Sequence, residues 1–261
     1  MQGVWLEDLT WPEAKNWFDA EPVIVVPIGA VSKEHGHHLP LCTDYLLARG
    51  FGDWLVKALP VVVAPVISAG YYPAFRHYPG SQHLSPETFM AVLKDTLGGF
   101  IEQGQRNIVV LNTGISTEPL LNVTLREIYE RTGVRVSAAH ISRFGRNSDH
   151  IFEQTLGGHG DEHETSLIMV FAPERIRANK AAVDYGNVRE APDTTFYLPS
   201  VFNGDPESGI DFSKTGVRGD PTLATLEKGQ IAVQAAGDDL VDGILKLYPD
   251  AIARGRNRAG Q

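Results

Sequence analysis

VIVVPIG (residues 23–29) runs into AVSKEHGHHLPLCTD (residues 30–44), and the join between them decides how the chain is read. The first stretch is short, apolar and β-branched without polar alternation, which suits a strand buried on both faces. The second carries three of the nine histidines, two carboxylates and the single cysteine between Glu34 and Asp44. Imidazole nitrogen and carboxylate oxygen are the usual ligands of zinc, manganese and iron. Glu34, His35, His37, His38 and Asp44 together therefore predict a divalent-metal loop at a strand end. Cys42 reads as a small buried residue rather than a ligand.

Working outward, VVVAPVIS (61–68), NIVVLN (107–112) and VRVSAAH (134–140) repeat the strand pattern. Between them lie helical segments at 43–59, 85–104 and 119–133, and a last one is expected over 220–248. SPETF at 85–89 opens its helix with a capping serine, a proline and a glutamate. Strand and helix in alternation predict an α/β fold, with a central, mainly parallel sheet flanked by helices on both faces. No linker interrupts residues 20–172, and the Pro-, Gly- and Asp-rich stretch 180–218 reads as an irregular excursion within one domain spanning 1–261. In such folds ligands bind beyond the carboxyl ends of the strands. EHGHHLPLCTD, NTGIST (112–117) and AAHIS (138–142) all fall there.

Composition narrows the partners. The chain has 261 residues, 43% of them hydrophobic and 21% charged, as in an ordinary globular protein. Lys and Arg total 23 against 32 Asp and Glu, a net charge of −9, which argues against a nucleic-acid partner. The basic tail ARGRNRAGQ (253–261) is expected to be a frayed, solvated terminus. One cysteine makes no internal disulfide. The first residues lack a signal-peptide pattern, and no apolar run approaches the roughly 20 residues of a membrane span. A cytoplasmic protein with no membrane partner is expected.

PIGAVSKEHGHHLPLCTD resembles the signature of the creatininase family of amidohydrolases, P-[VI]-G-[AS]-x-E-x-H-G-x-H-L-P-L-x-T-D. YPGSQHLSPETF (78–89), VVLNTG (109–114), HGDEHETS (159–166) and GVRGDPTLATLEKG (216–229) are similar to four further family blocks, in order. The resemblance implies a creatininase-like three-layer sandwich, one or two divalent ions (zinc, manganese or iron) per chain, a small-molecule substrate and a homohexamer. It assigns metal-ligand roles to His35 and Asp44, matches His38 to the second histidine of H-G-x-H, and places His159 and Glu164 in the E-T-S block.

Two departures stand out. The family has Glu two positions before the metal histidine, where this chain has Lys33, and the span from Gly29 to His35 is one residue longer. A bulge would turn Glu34 inward as a ligand; without one, Glu34 faces solvent. The family's N-G-H turn supplies a ligand histidine, whereas NTGIST has none, Ile115 cannot bind a metal and Glu118 is displaced. His83, where the family has a small Ser, is the candidate replacement, or else a substrate contact or helix cap. His37, His38 and His77 are candidate substrate contacts, His77 lying among the aromatics of YYPAFRHYPG (71–80).

The resulting expectation is metal-assisted hydrolysis of a cyclic amide or formamide-like carbon–nitrogen bond, with metal-bound water as nucleophile. His159 is the candidate proton shuttle, and Glu164 orients it or completes the metal shell. Asp161, Glu162 and His163 are expected to be solvated loop. A remodelled mononuclear isomerase or lyase on a sugar-like substrate, and a non-catalytic ligand-binding member, are the alternatives.

Overall fold

The computed structural model describes residues 2–187, 195 and 198–258. Its main sheet contains β1 (Val4–Trp5), β2 (Ile24–Ile28), β3 (Val62–Val63), β4 (Ile108–Asn112) and β5 (Ser137–His140), in the order β1-β3-β2-β4-β5. Each neighbouring pair is parallel, with Ile24 opposite both Val62 and Ile108. The helices are α1 (Trp11–Phe18), α2 (Thr43–Ala58), α3 (Pro86–Glu102), α4 (Glu118–Thr132), α5 (Glu162–Phe171), α6 (Leu226–Leu247) and α7 (Pro249–Arg258). This is the parallel α/β architecture that the run pattern predicts.

Alternate residues of β2 serve opposite faces, yet all five are buried. Ile24, Val26 and Ile28 pack with Phe89, Leu93 and Leu97 of α3 and Leu121 and Ile128 of α4. Val25 packs with Phe51 and Leu55 of α2, Leu240 and Ile244 of α6, and Ile252 of α7. A third cluster joins Leu47, Leu167, Ile168 and Val233, fastening α5 to α2 and α6. Burial on both sides explains why the strand reads as an unbroken apolar run.

The helix ends follow side-chain chemistry. Ser85 accepts from Thr88 N at α3, Asp161 from Glu164 N at α5 and Thr225 from Lys228 N at α6. α4 stops at Gly133, whose φ of 69° is left-handed. The expected helix over 220–248 begins later because Pro221–Leu223 forms a separate single turn before the Thr225 cap. The second strand is shorter than VVVAPVIS suggests, since beyond Val63 the chain makes only an isolated bridge, Ile67 to Ile28. The tail is not frayed as far as Arg258: α7 buries Ala251 and Ile252, and Arg254 donates to the carbonyls of Ala20 and Glu21. Within the irregular stretch, β6 (Phe202–Asn203) and β7 (Asp211–Phe212) form a small ribbon. Part of 180–218 lies outside the described residues. Among the described residues, no helix is long and apolar enough to cross a membrane.

β2 occupies the middle of the sheet. The chain passes from β2 to β3 on one side, then back across to β4 on the other. That reversal opens a crevice at the carboxyl end of β2, the usual ligand position in such sheets. α2 approaches closely there: a Cβ on Gly29 would lie 2.3 Å from the Asp44 carbonyl oxygen. Gly29→Ala is therefore expected to destabilise the protein by about 1–3 kcal/mol in urea unfolding.

Asp184 ties the two ends of the excursion together, accepting from Gly186 N, Thr215 N, Thr215 Oγ1 and Ser213 Oγ at 2.7–3.0 Å. Burial pushes its carboxyl up, but the donors from Thr215, Gly186 and Ser213 outweigh it and hold the pKa below 3.8. Because the folded value is depressed, this contribution is complete above the unfolded pKa and disappears as pH falls through the folded one. Asp184→Ala should cost about 1–3 kcal/mol at neutral pH. The gap from wild type, measured by chemical denaturation, should close below about pH 4.

Candidate metal centre

The loop after β2 folds back on itself. Lys33 N donates to Leu41 O at 3.0 Å and Tyr45 N to Ala30 O at 3.1 Å, which seats the start of α2 against the end of β2. Asp44 lies in the first turn of α2, where the helix dipole favours a carboxylate, and is 1% exposed. Its Oδ2 accepts from Lys33 Nζ at 2.9 Å, and its Oδ1 lies 2.9 Å from His35 Nε2. Burial alone would raise the Asp44 carboxyl, but the charges of Lys33 and His35 hold it well below the usual range. Burial works against Lys33 as well, and Asp44 and Glu164 more than compensate, so its ammonium stays charged.

Two imidazoles are fixed beside this pair. His35 Nδ1 donates to the Lys33 carbonyl at 2.9 Å. His159 Nε2 donates to the Glu34 carbonyl at 2.7 Å, with Glu34 Oε2 at 3.1 Å. The His159 ring stacks on Phe75 at 3.7 Å and 19°, and lies 4.6 Å from the His35 ring. Burial, then the charges of His35 and Lys33, push His159 well below its ordinary pKa, so it is neutral. Its Nδ1 therefore carries the lone pair.

Glu164, in the first turn of α5, completes the group. One ligand atom from each of His35, His159 and Glu164 lies within 4.8 Å of the others. Glu164 Oε2 accepts from Gly160 N at 2.6 Å, and burial lifts this carboxyl to about 7 against the opposing charges of His35 and Lys33. Glu164 also lines a cavity of about 350 Å³ whose wall includes Ile115, Arg146, Phe152, Gln154 and His163. Each histidine has one ring nitrogen on a main-chain carbonyl, as metal-binding histidines commonly do, and the second nitrogen of His35 faces Asp44 Oδ1. The donor set of His35, His159 and Glu164 fits one divalent ion.

Other anticipated residues lie as follows. Glu34 is neither turned to Asp44 nor solvated: it is 6% exposed, its N–H donates to Ser81 Oγ at 3.0 Å, and its carboxylate takes His159 and Gly36 N. Gly216 makes room for it, since a Cβ there would overlap that carboxylate. His38 is fully buried with Nε2 2.8 Å from Thr165 Oγ1, and burial lowers it to about 4. His37 and His77 are exposed. His83 is half-buried against Tyr71 and Tyr72, with Nδ1 on the Leu84 carbonyl at 3.0 Å, and is not among the three grouped donors. The NTGIST turn closes on itself: Asn112 Oδ1 accepts from Thr117 Oγ1, and Thr113 Oγ1 donates to the carbonyls of Ile28 and Asp44. Glu118 accepts from Ser142 Oγ.

The solvated-loop expectation for residues 161–163 is corrected for its two carboxylates. Asp161 caps α5 and accepts from Gly158 N, while Glu162 is fully buried, taking Glu153 N and Gln154 N on one oxygen and Lys228 on the other. Lys33 and Phe75 are the site residues that sequence reasoning missed. The longer span before His35 was the available signal for Lys33.

A buried group of histidines and acids at the switch point of a parallel sheet defines an enzyme of the α/β class. The chain belongs to the creatininase family: the family profile described as Creatininase, creatinine amidohydrolase, matches residues 7–244. It is a creatininase-like hydrolase. It is similar to the creatinine amidohydrolase of Pseudomonas putida, at 24% identity over 95% of this chain and 98% of that protein. The 3-dehydro-scyllo-inosose hydrolase of Thermotoga maritima is 24% identical over 97% of this chain and 85% of its own length. The mycofactocin precursor peptide peptidase of Mycobacterium tuberculosis is 26% identical over 87% and 86%. The solved structure "Creatininase Mn" superposes with a TM-score of 0.77 at 21% identity, over 95% of this chain and 100% of that one.

Because Asp44 and Lys33 are buried together, removing one leaves the other charge without its partner. Lys33→Met is expected to cost about 3–5 kcal/mol in denaturant unfolding.

Proposed function

We propose that this chain hydrolyses a carbon–nitrogen bond in a small polar molecule of the cyclic-amide or formamide class, with a divalent ion at the His35, His159 and Glu164 group. The observation that carries the reading is the convergence of those three donors, of which Glu164 also lines a cavity of about 350 Å³. The family supports it, since the similar proteins include one named creatinine amidohydrolase and one named precursor peptide peptidase. An ion so held would supply Lewis-acid polarisation of the substrate carbonyl and a lowered pKa for water.

The protein's own residues have distinct tasks in this proposal. Glu34 holds the His159 proton at Nε2, which fixes that ring in one tautomer, whereas His35 faces an acceptor from each nitrogen, the Lys33 carbonyl and Asp44 Oδ1, and would give up its Nε2 proton to an ion. The Glu164 oxygen bonded to Gly160 keeps a second lone pair for the ion. Its other oxygen would carry a proton from water to the departing nitrogen. Phe75, stacked on His159 and on Phe202, keeps water from that side of the imidazole.

Ring opening or amide cleavage of a panel of small cyclic amides and formamides, followed by amine or carboxylate release, tests the reading. Dipicolinate should abolish turnover and added zinc or manganese restore it. Glu164→Gln should lower kcat by about 10²–10⁴-fold with the fold intact by circular dichroism. Turnover indifferent to chelation would overturn the proposal.

A further inference from the structure

We propose that Lys33 is the second cation of this site: its ammonium fills the half of the centre around Asp44, so the chain holds one divalent ion rather than a pair. The inference rests on the metal-dependent reading above and deepens it. The resemblance makes Asp44 a metal ligand, and an aspartate that bridges two ions commonly gives one oxygen to each. Here Asp44 Oδ2 is committed to Lys33 Nζ at 2.9 Å, and only Oδ1 turns to His35. Both partners are buried, with side chains 6% and 2% exposed, so solvent does not weaken the pair.

The surroundings exclude a second ion on four further grounds. The space between Lys33, Asp44, Tyr72, Gly114, Ser116 and Thr117 is a cavity of about 10 Å³. That is room for about one water, not for an ion with its shell of ligands. Its wall brings no histidine or acid besides Asp44. Three polar side chains of the NTGIST turn are already engaged, Asn112 on Thr117 and Gly114, and Thr113 on the carbonyls of Ile28 and Asp44. An ion entering there would also have to displace a buried ammonium and leave it unpaired, which costs several kcal/mol. On the other side of Asp44 the chemistry reverses: His35, His159 and Glu164 each bring one possible ligand atom within 4.8 Å of the others. The lysine and one metal ion thus divide the site, one charge built into the chain and the other bound.

Equilibrium dialysis of the folded wild-type protein against Mn²⁺ or Zn²⁺, with metal counted by mass spectrometry, tests this. The expected result is one equivalent per chain, lost in His159→Ala, and for Mn²⁺ the uncoupled hyperfine pattern of an isolated ion by electron paramagnetic resonance. Two equivalents, or an exchange-coupled spectrum, would overturn the inference while leaving the metal-dependent hydrolase reading intact. No bound equivalent would overturn that reading as well. Lys33→Glu exchanges the ammonium for a ligand and should raise the count to two. A folded Lys33→Glu protein that still binds one ion assigns the exclusion to something other than Lys33, and also overturns the inference. Should that variant fail to fold, the wild-type count and spectrum decide.

Discussion

A carboxylate buried at the first turn of a helix must find cationic or hydrogen-bonding partners, and at Asp44 those partners are Lys33 and His35. Much of the centre depends on that requirement. The loop from Gly29 to Asp44 has to fold back so that its own residues reach the helix it leads into, and Gly29 has to be small for the approach. His35 is then held between Asp44 and the Lys33 carbonyl, and Glu34, on the opposite side of the chain, is directed to His159. Desolvating three or four charges in one place is costly, and close pairing is what makes the arrangement tenable.

The second half of the centre is built from a different part of the chain by the same logic. α5 begins at Asp161, whose carboxylate caps the helix, and Glu162 is clamped by two backbone amides and Lys228. These contacts fix the helix start so that Glu164 and His159 face the loop after β2. The α6 residue Lys228 therefore supports the site without touching it, and explains why the closing block of the chain matters to a centre formed by its first and middle parts. Fixed donors on rigid elements, backed by an outer ring of acceptors, are the arrangement a hydrolytic metal site requires.

Much of the fold was legible because its cause is local. β2 and β4 are unbroken apolar runs since both sheet faces are covered, and the helix start at Ser85 carries its cap in the sequence. The site was legible in part. His35 could be picked out from the cluster of imidazoles and carboxylates at a strand end, and His159 and Glu164 through the resemblance of HGDEHETS to a family block. Lys33 was not, because a lysine next to a glutamate reads as a solvated pair. In the folded chain the lysine points inward to Asp44, and the glutamate is buried on the other side against His159 and Gly216. A single extra residue between Gly29 and His35 changes which side chain faces the helix, and no pattern of residue types encodes that direction.

The sequence by itself determined the α/β architecture, the order of its elements and the family, since these follow from hydrophobic period, capping chemistry and ordered motifs. Only the tertiary structure decided which charges meet. Lys33 and Asp44 lie 11 residues apart and meet because the loop after β2 folds back onto α2, while His159 and Glu34, 125 residues apart, meet where α5 packs against α2. Whether a charged side chain ends in water or against a buried partner is settled by the space the packed elements leave for it. That space exists only once the sheet and its two layers of helices have closed.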